Sequence, residues 1–241
     1  MRPVPGSDHA VERTASRPVR NDQSMTEIVL MSDLKIAAIP VEDCNEPLLD
    51  VRRQDPFPVD TREQDDAGAF AHVREGVLNR LLDARELLPD GIQLLFIEGY
   101  RPPAVQRFYF ERYAETLRND NPGWPSEQVR AAASRFVSPP EIAPHSAGAA
   151  VDVTLVAADD RELDMGTPVD ASPEVSKGAC YTAAHNISSE ARGNRQILTE
   201  ALTAAGMVNY PTEWWHWSYG DRYWALATGV GHAVYGPREL G

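Results

Sequence analysis

The stretch PHSAGAAVDVTLV, residues 144–156, limits the fold more tightly than any other part of the chain. Its second half alternates as a strand does. Val151, Val153 and Leu155 fall on one side; Ala150, Asp152, Thr154 and Val156 fall on the other. A carboxylate in the middle of so apolar a run costs roughly several kcal/mol unless donors or a cation meet it. Backbone amides or an Arg satisfy Asp152 on one reading; a metal ion does so on the other. His145 lies close upstream, and the Ser-Ala-Gly that follows it permits a sharp turn.

A second stretch, EWWHWSY, surrounds Glu213 and His216 with three Trp residues, a dry and rigid setting. A lone His in such surroundings is usually bonded to a carbonyl. Here two separate segments each pair a His with a carboxylate, which favours the metal reading. Catalytic zinc sites use three protein ligands and keep one position open for water. His145, Asp152 and His216 are assigned as ligands, and Glu213, the remaining carboxylate, as general base. Spacing alone leaves open whether Asp152 or Glu213 is the ligand. Residues three apart share a face on a helix but not on a regular strand, so a bulge or twist is expected near Trp214 and Trp215. Arg101, in GYRPP after an apolar strand, offers a planar donor fork for an oxyanion or a carboxylate. The other histidines, His9, His72, His185 and His232, have no comparable neighbours and are read as non-functional.

Composition narrows the class of partner. The net charge of -13 argues against nucleic acid, whose phosphates need a basic surface, and against anionic lipid. No stretch approaches the roughly 18 apolar residues of a spanning helix. The first 33 residues hold no continuous apolar segment of a secretory signal and are expected to form a disordered extension, with Met25 or Met31 as alternative starts. Two cysteines, Cys44 and Cys180, make no disulfide framework, which points to a reducing cytoplasm.

Residues 34–241 read as a single α+β domain, a small antiparallel sheet flanked by helices with the zinc site on the sheet. KIAAIP (35–40) is expected to be a strand, followed by an acidic, solvated connection to about residue 66. Apolar spacing from Phe70 to Leu88 predicts a helix, and IQLLFI a buried strand. Further helices are expected from about residue 103, from a Ser126 cap to about Val137, and from Ser189 to Ala205, stopped by Gly206. TEWWHWSYGDRYWA is expected to be a strand pair.

From about residue 36 onward the chain resembles the D-alanyl-D-alanine dipeptidases, zinc peptidases that include the vancomycin-resistance dipeptidase. The likeness rests on EGYRPP, HSAGAAVDVTL, LDMGTPVD, NRQILTEALTAAGM and EWWHWSYGDRYWA in that order. It implies one Zn2+ per chain held by His145, Asp152 and His216, Glu213 as base, and Arg101 stabilising the intermediate. It further implies Asp170 as a contact for the substrate's free amino group, although Val169 stands where Phe is usual. Ala143 also departs from the family pattern, which has Ser two residues before the first His, so the preferred dipeptide is left open. The expected activity is hydrolysis of D-alanyl-D-alanine or a similar small dipeptide, with no nucleic acid and no membrane insertion. The alternatives are a wall-active D,D-carboxypeptidase or endopeptidase, a binding module that keeps zinc without catalysis, and an enzyme acting on another small amide in a biosynthetic pathway. No sequence feature sets an oligomeric state.

Overall fold

A computed structural model describes residues 28–53, 58–62, 65 and 67–240. In chain order its elements are α1 (Leu34–Ala37), β1 (Leu48–Asp50), β2 (His72–Arg74), α2 (Glu75–Arg85), β3 (Ile92–Glu98), α3 (Pro103–Asp120) and α4 (Ser126–Ala133). There follow β4 (Ala150–Ala157), α5 (Pro173–Ser176), α6 (Ser189–Ala204), β5 (Val208–Asn209), β6 (His216–Ser218) and α7 (Arg222–Thr228). A four-stranded antiparallel sheet has the order β3-β4-β6-β5, and β1 pairs with β2 in a separate antiparallel ribbon. This is the mixed helix and antiparallel-sheet architecture that the sequence implies.

Strand β4 is the spine of the sheet, and both of its faces are buried. Val151, Val153 and Leu155 enter the main core with Val77, Leu78 and Leu81 of α2, Leu198 and Leu202 of α6, and Trp214. Asp152 points the other way, as strand alternation requires. Its neighbours across the ladders are Glu98 on β3 and His216 on β6. The β3–β4 register shifts between Phe96 and Glu98, and this irregularity puts Glu98 opposite Asp152.

Arg74, fully buried, ties distant segments to the turn that carries His145. Its guanidinium donates to the carbonyls of Ala147 (2.8 Å), Glu46 (2.7 Å) and Gly236 (3.0 Å) and pairs with Asp43 at 2.7 Å. Its backbone N–H donates to the Gly148 carbonyl at 2.9 Å. The acidic connection is therefore partly structural: Asp43 serves Arg74, and Leu49 pairs with Val73.

Several expectations need correction. KIAAIP forms no strand. Asp33 caps the short helix α1 by accepting from the Lys35 N–H at 2.8 Å, and so brief an apolar run carries no readable period. The helix expected from Phe70 starts only at Glu75, because Phe70 lies in a 3-10 turn and Val73 pairs with β1. Ser126 is the first helical residue of α4 rather than its cap, and that helix ends at Ala133. In the aromatic C-terminal stretch, strand β6 covers three residues, and DRYWA begins helix α7. There Asp221 accepts from the N–H groups of Tyr223 and Trp224. Of the extension expected through residue 33, residues 1–27 lie outside the described residues. Met31 is buried with Ile36, Tyr210 and Tyr223, so ordered chain begins before that boundary.

Replacing Arg74 with Met removes its hydrogen bonds to the carbonyls of Ala147, Glu46 and Gly236 and its ion pair with Asp43. The variant should lose about 2–5 kcal/mol of stability in chemical denaturation, with the turn 145–148 exchanging amide hydrogen faster than in the parent.

Candidate metal centre and active site

Three segments bring the predicted ligands together. His145 opens a 3-10 turn that ends at Gly148, whose φ of 64° is open to Gly at little cost. Asp152 and His216 are cross-strand partners. The His145 Nδ1–H donates to the Gly99 carbonyl at 2.6 Å, which fixes the tautomer and turns the Nε2 lone pair inward. That Nε2 lies 3.1 Å from His216 Nδ1 and 3.4 Å from Asp152 Oδ2, and His216 Nδ1 lies 3.1 Å from Asp152 Oδ1. All three residues are buried.

This donor set fits a divalent cation. The two imidazole nitrogens facing each other at 3.1 Å and the carboxylate beside them can all turn lone pairs toward one cation placed between them. Ligands about 2.0–2.1 Å from a tetrahedral zinc lie about 3.3 Å from one another, close to the separations found. The remaining carboxylate stands apart: Glu213 Oε2 is 3.8 Å from His216 Nδ1. Glu213 and His216 are joined by a turn, closed by the His216 N–H to the Glu213 carbonyl at 3.4 Å, and β6 starts only at His216. That turn, not a bulge at Trp214 and Trp215, brings the two side chains to one side. It is pinned from outside, with the Trp214 N–H on the Cys180 carbonyl and its indole N–H on Thr167 Oγ1.

Electrostatics separates the carboxylates. Burial works against the Asp152 anion, yet His145 and His216 outweigh it and hold its pKa below the ordinary range. Glu213 goes the other way: burial, then the charges of Asp152 and Asp170, raise its pKa well above normal, with Arg101 partly offsetting them. Burial lowers His216, whereas in His145 the Asp152 charge overcomes burial and raises the pKa.

Arg101 reaches the same cavity, held by groups to which the sequence reading gave no role. Its Nε donates to Glu98 Oε1 at 2.7 Å, and a second guanidinium nitrogen pairs with Oε2 of the same residue. Its Nη1 donates to Gln106 Oε1 at 3.0 Å, and the Gln106 amide donates to the Ser138 carbonyl at 2.7 Å. Both Glu98 and Gln106 stand in the motif EGYRPPAVQ, and the signal was a buried acid three residues before the Arg. Of the five guanidinium N–H donors, three are engaged and two remain for a ligand. Asp170 also lines the cavity, exposed and in the left-handed region with φ 63°. His72, His185 and His232 take no part in the cluster, and His9 lies outside the described residues.

The family model for D-ala-D-ala dipeptidase (Peptidase_M15) matches residues 67–229, which include every residue of this cavity named above. The chain belongs to the D-ala-D-ala dipeptidase family. A D-alanyl-D-alanine dipeptidase of Synechocystis sp. is 32% identical over 78% of this chain and 87% of its own length. One from Enterococcus faecium is 31% identical over 58% of this chain and 69% of its own. Among solved structures, VanYB in complex with D-alanine-D-alanine aligns over 82% of this chain and 95% of that one, at 18% identity and a TM-score of 0.42. The chain is a metallopeptidase of this dipeptidase family, and Zn2+ is the cofactor that two imidazoles and one carboxylate suit.

Gly99 allows a test of the ligand geometry. A Cβ there would stand 2.5 Å from the His72 carbonyl oxygen and 2.7 Å from Val73 Cγ1. Gly99→Ala therefore shifts the carbonyl that orients His145. Zinc affinity, read by competition with a chelator, should fall about 10- to 100-fold.

Proposed function

We propose that the chain hydrolyses D-alanyl-D-alanine or a close dipeptide, with His145, Asp152 and His216 holding one Zn2+. What carries the reading is the single cavity, of about 360 Å3, into which His145, Asp152, His216, Glu213, Arg101 and Asp170 all face. Bound there, the ion supplies Lewis acidity to water and to the scissile carbonyl.

The side chains do the rest. Glu213 takes a proton from the attacking water as its oxygen adds to the carbonyl carbon. A raised pKa suits a group that must accept that proton and later release it. The two uncommitted N–H groups of Arg101 donate to the oxyanion as it forms, a contribution of about 3–4 kcal/mol when such donors are fixed in advance. Glu98 and Gln106 provide that fixing. As the C–N bond breaks, Glu213 returns the proton to the leaving nitrogen, and two free amino acids result. Asp170, at the cavity wall, receives the substrate's ammonium group in this scheme.

No described helix is long and apolar enough to cross a membrane. A reducing cytoplasm is the compartment this reading assigns. It is supported by Cys44 and Cys180, both free thiols, and by a substrate small enough to be a soluble metabolite. The net charge of -13 argues against a nucleic-acid partner.

Glu213→Gln should keep a full equivalent of zinc while kcat on D-alanyl-D-alanine falls about 10²- to 10⁴-fold; hydrolysis at the parental rate removes Glu213 from the mechanism. Glu98→Gln should leave zinc content unchanged and lower kcat more than it raises KM, because a loosened Arg101 acts on the transition state. A panel of D,D-, L,D- and L,L-dipeptides, run beside a peptidoglycan pentapeptide, reads the substrate class. Release of free alanine from the D,D-dipeptide alone is the expected result.

A further inference from the structure

One face of α3 walls the cavity. Tyr109, Arg112, Tyr113 and Thr116 line it at helical spacing. The wall begins beside the reaction centre, where the Tyr109 ring lies 5.2 Å from the Arg101 guanidinium carbon. It is braced further out, where Tyr113 packs edge-on against Phe136 at 5.1 Å and donates to Glu174.

The cavity's charges are unequal. Glu98, Asp152, Asp170 and Glu213 are acids, and the arginines are Arg101 and Arg112. Arg101 has three of its five N–H donors on Glu98 and Gln106, and the proposed mechanism gives the other two to the oxyanion. Arg112 makes no ion pair among the described residues; its guanidinium carbon lies 5.7 Å from the centre of the Phe108 ring. In a chain with a net charge of -13, an arginine without a carboxylate partner facing an acid-lined cavity points to an anionic ligand.

We propose that Arg112 is the anchor for the substrate's C-terminal carboxylate and so selects free-acid dipeptides. The inference rests on the dipeptidase reading and adds a specificity-determining residue to it. Arg112 lies three residues, roughly 4.5 Å along the helix axis, beyond Tyr109, whose ring meets Arg101. The single residue that follows the scissile bond spans about 3.3–3.6 Å, and the long Arg side chain covers the remainder. The guanidinium fork matches the two oxygens of a carboxylate. A cation at this distance also measures substrate length. A longer peptide places its terminal carboxylate beyond reach, and its internal amide offers the fork no charge.

The test uses zinc-loaded protein as parent, Arg112→Gln and Arg112→Lys, with D-alanyl-D-alanine and its C-terminal amide as paired substrates. The parent should show a KM about 10- to 100-fold lower for the acid than for the amide. Arg112→Gln should raise KM for the acid to the amide's value with kcat within about threefold of the parent; Arg112→Lys should recover part of the preference. An Arg112→Gln protein that still prefers the acid, or that loses both substrates equally, overturns the proposal. Binding of the same pair to Glu213→Gln protein, followed by calorimetry, reads Arg112 without turnover. If the parent cleaves neither compound, the dipeptidase reading fails. Tighter binding of the acid, lost with a second change Arg112→Gln, then still supports the anchor, and equal binding of acid and amide refutes it.

Discussion

The Asp152 carboxylate, buried on the central strand between two imidazoles, is the interaction on which the rest of the structure depends. Strand β4 presents its odd-numbered valines to the α2–α6 core and this one acid to the opposite face. Because strand side chains alternate with period two, a one-residue slip would exchange the acid for a valine and place a charge in the core. The register is therefore fixed by the cost of burying that charge anywhere else. Once it is fixed, Glu98 and His216 are set on either side of Asp152 by the ladder itself.

Around this centre, each functional group is held by a partner outside the chemistry. The Gly99 carbonyl sets the His145 tautomer, and Arg74 clamps the turn from which His145 projects. Glu98 and Gln106 orient Arg101, and Gln106 is held in turn by the Ser138 carbonyl. Glu213 differs from Asp152 in its environment more than in its chemistry. Two imidazoles stabilise the Asp152 anion, whereas Glu213 has burial and neighbouring acids against it. Two carboxylates with oppositely displaced pKa values in one cavity are suited to different acid–base tasks.

The sequence made the clustering of His145, Asp152 and His216 legible because its cues are local and chemically costly. An acid among valines and a His among tryptophans both demand an explanation from a short window. Strands β3 and β4 and helices α3 and α6 were legible for a similar reason, since their apolar periodicity is long. What the sequence hid depends on tertiary pairing. Val73 looks helical in its own window and is a strand residue because Leu49 pairs with it. Leu34–Ala37 is helical through the Asp33 cap, against a run of apolar residues that suits a strand equally well. Glu98 and Gln106 stood in a motif already singled out, but Glu98 is placed by a register shift between Phe96 and Glu98 that no pattern of residue types announces, and Gln106 meets Arg101 from helix α3. The same holds for Glu213, whose approach to His216 is made by a turn.

Zinc K-edge X-ray absorption of the purified, zinc-loaded protein tests the central claim most directly. Ligation by His145, Asp152 and His216, as proposed, predicts a first shell of nitrogen and oxygen at about 2.0–2.1 Å, with outer-shell scattering from two imidazole rings, and loss of one oxygen from that shell in Asp152→Ala. A shell containing sulfur at about 2.3 Å, scattering from a single imidazole, or a spectrum unchanged by Asp152→Ala would contradict it.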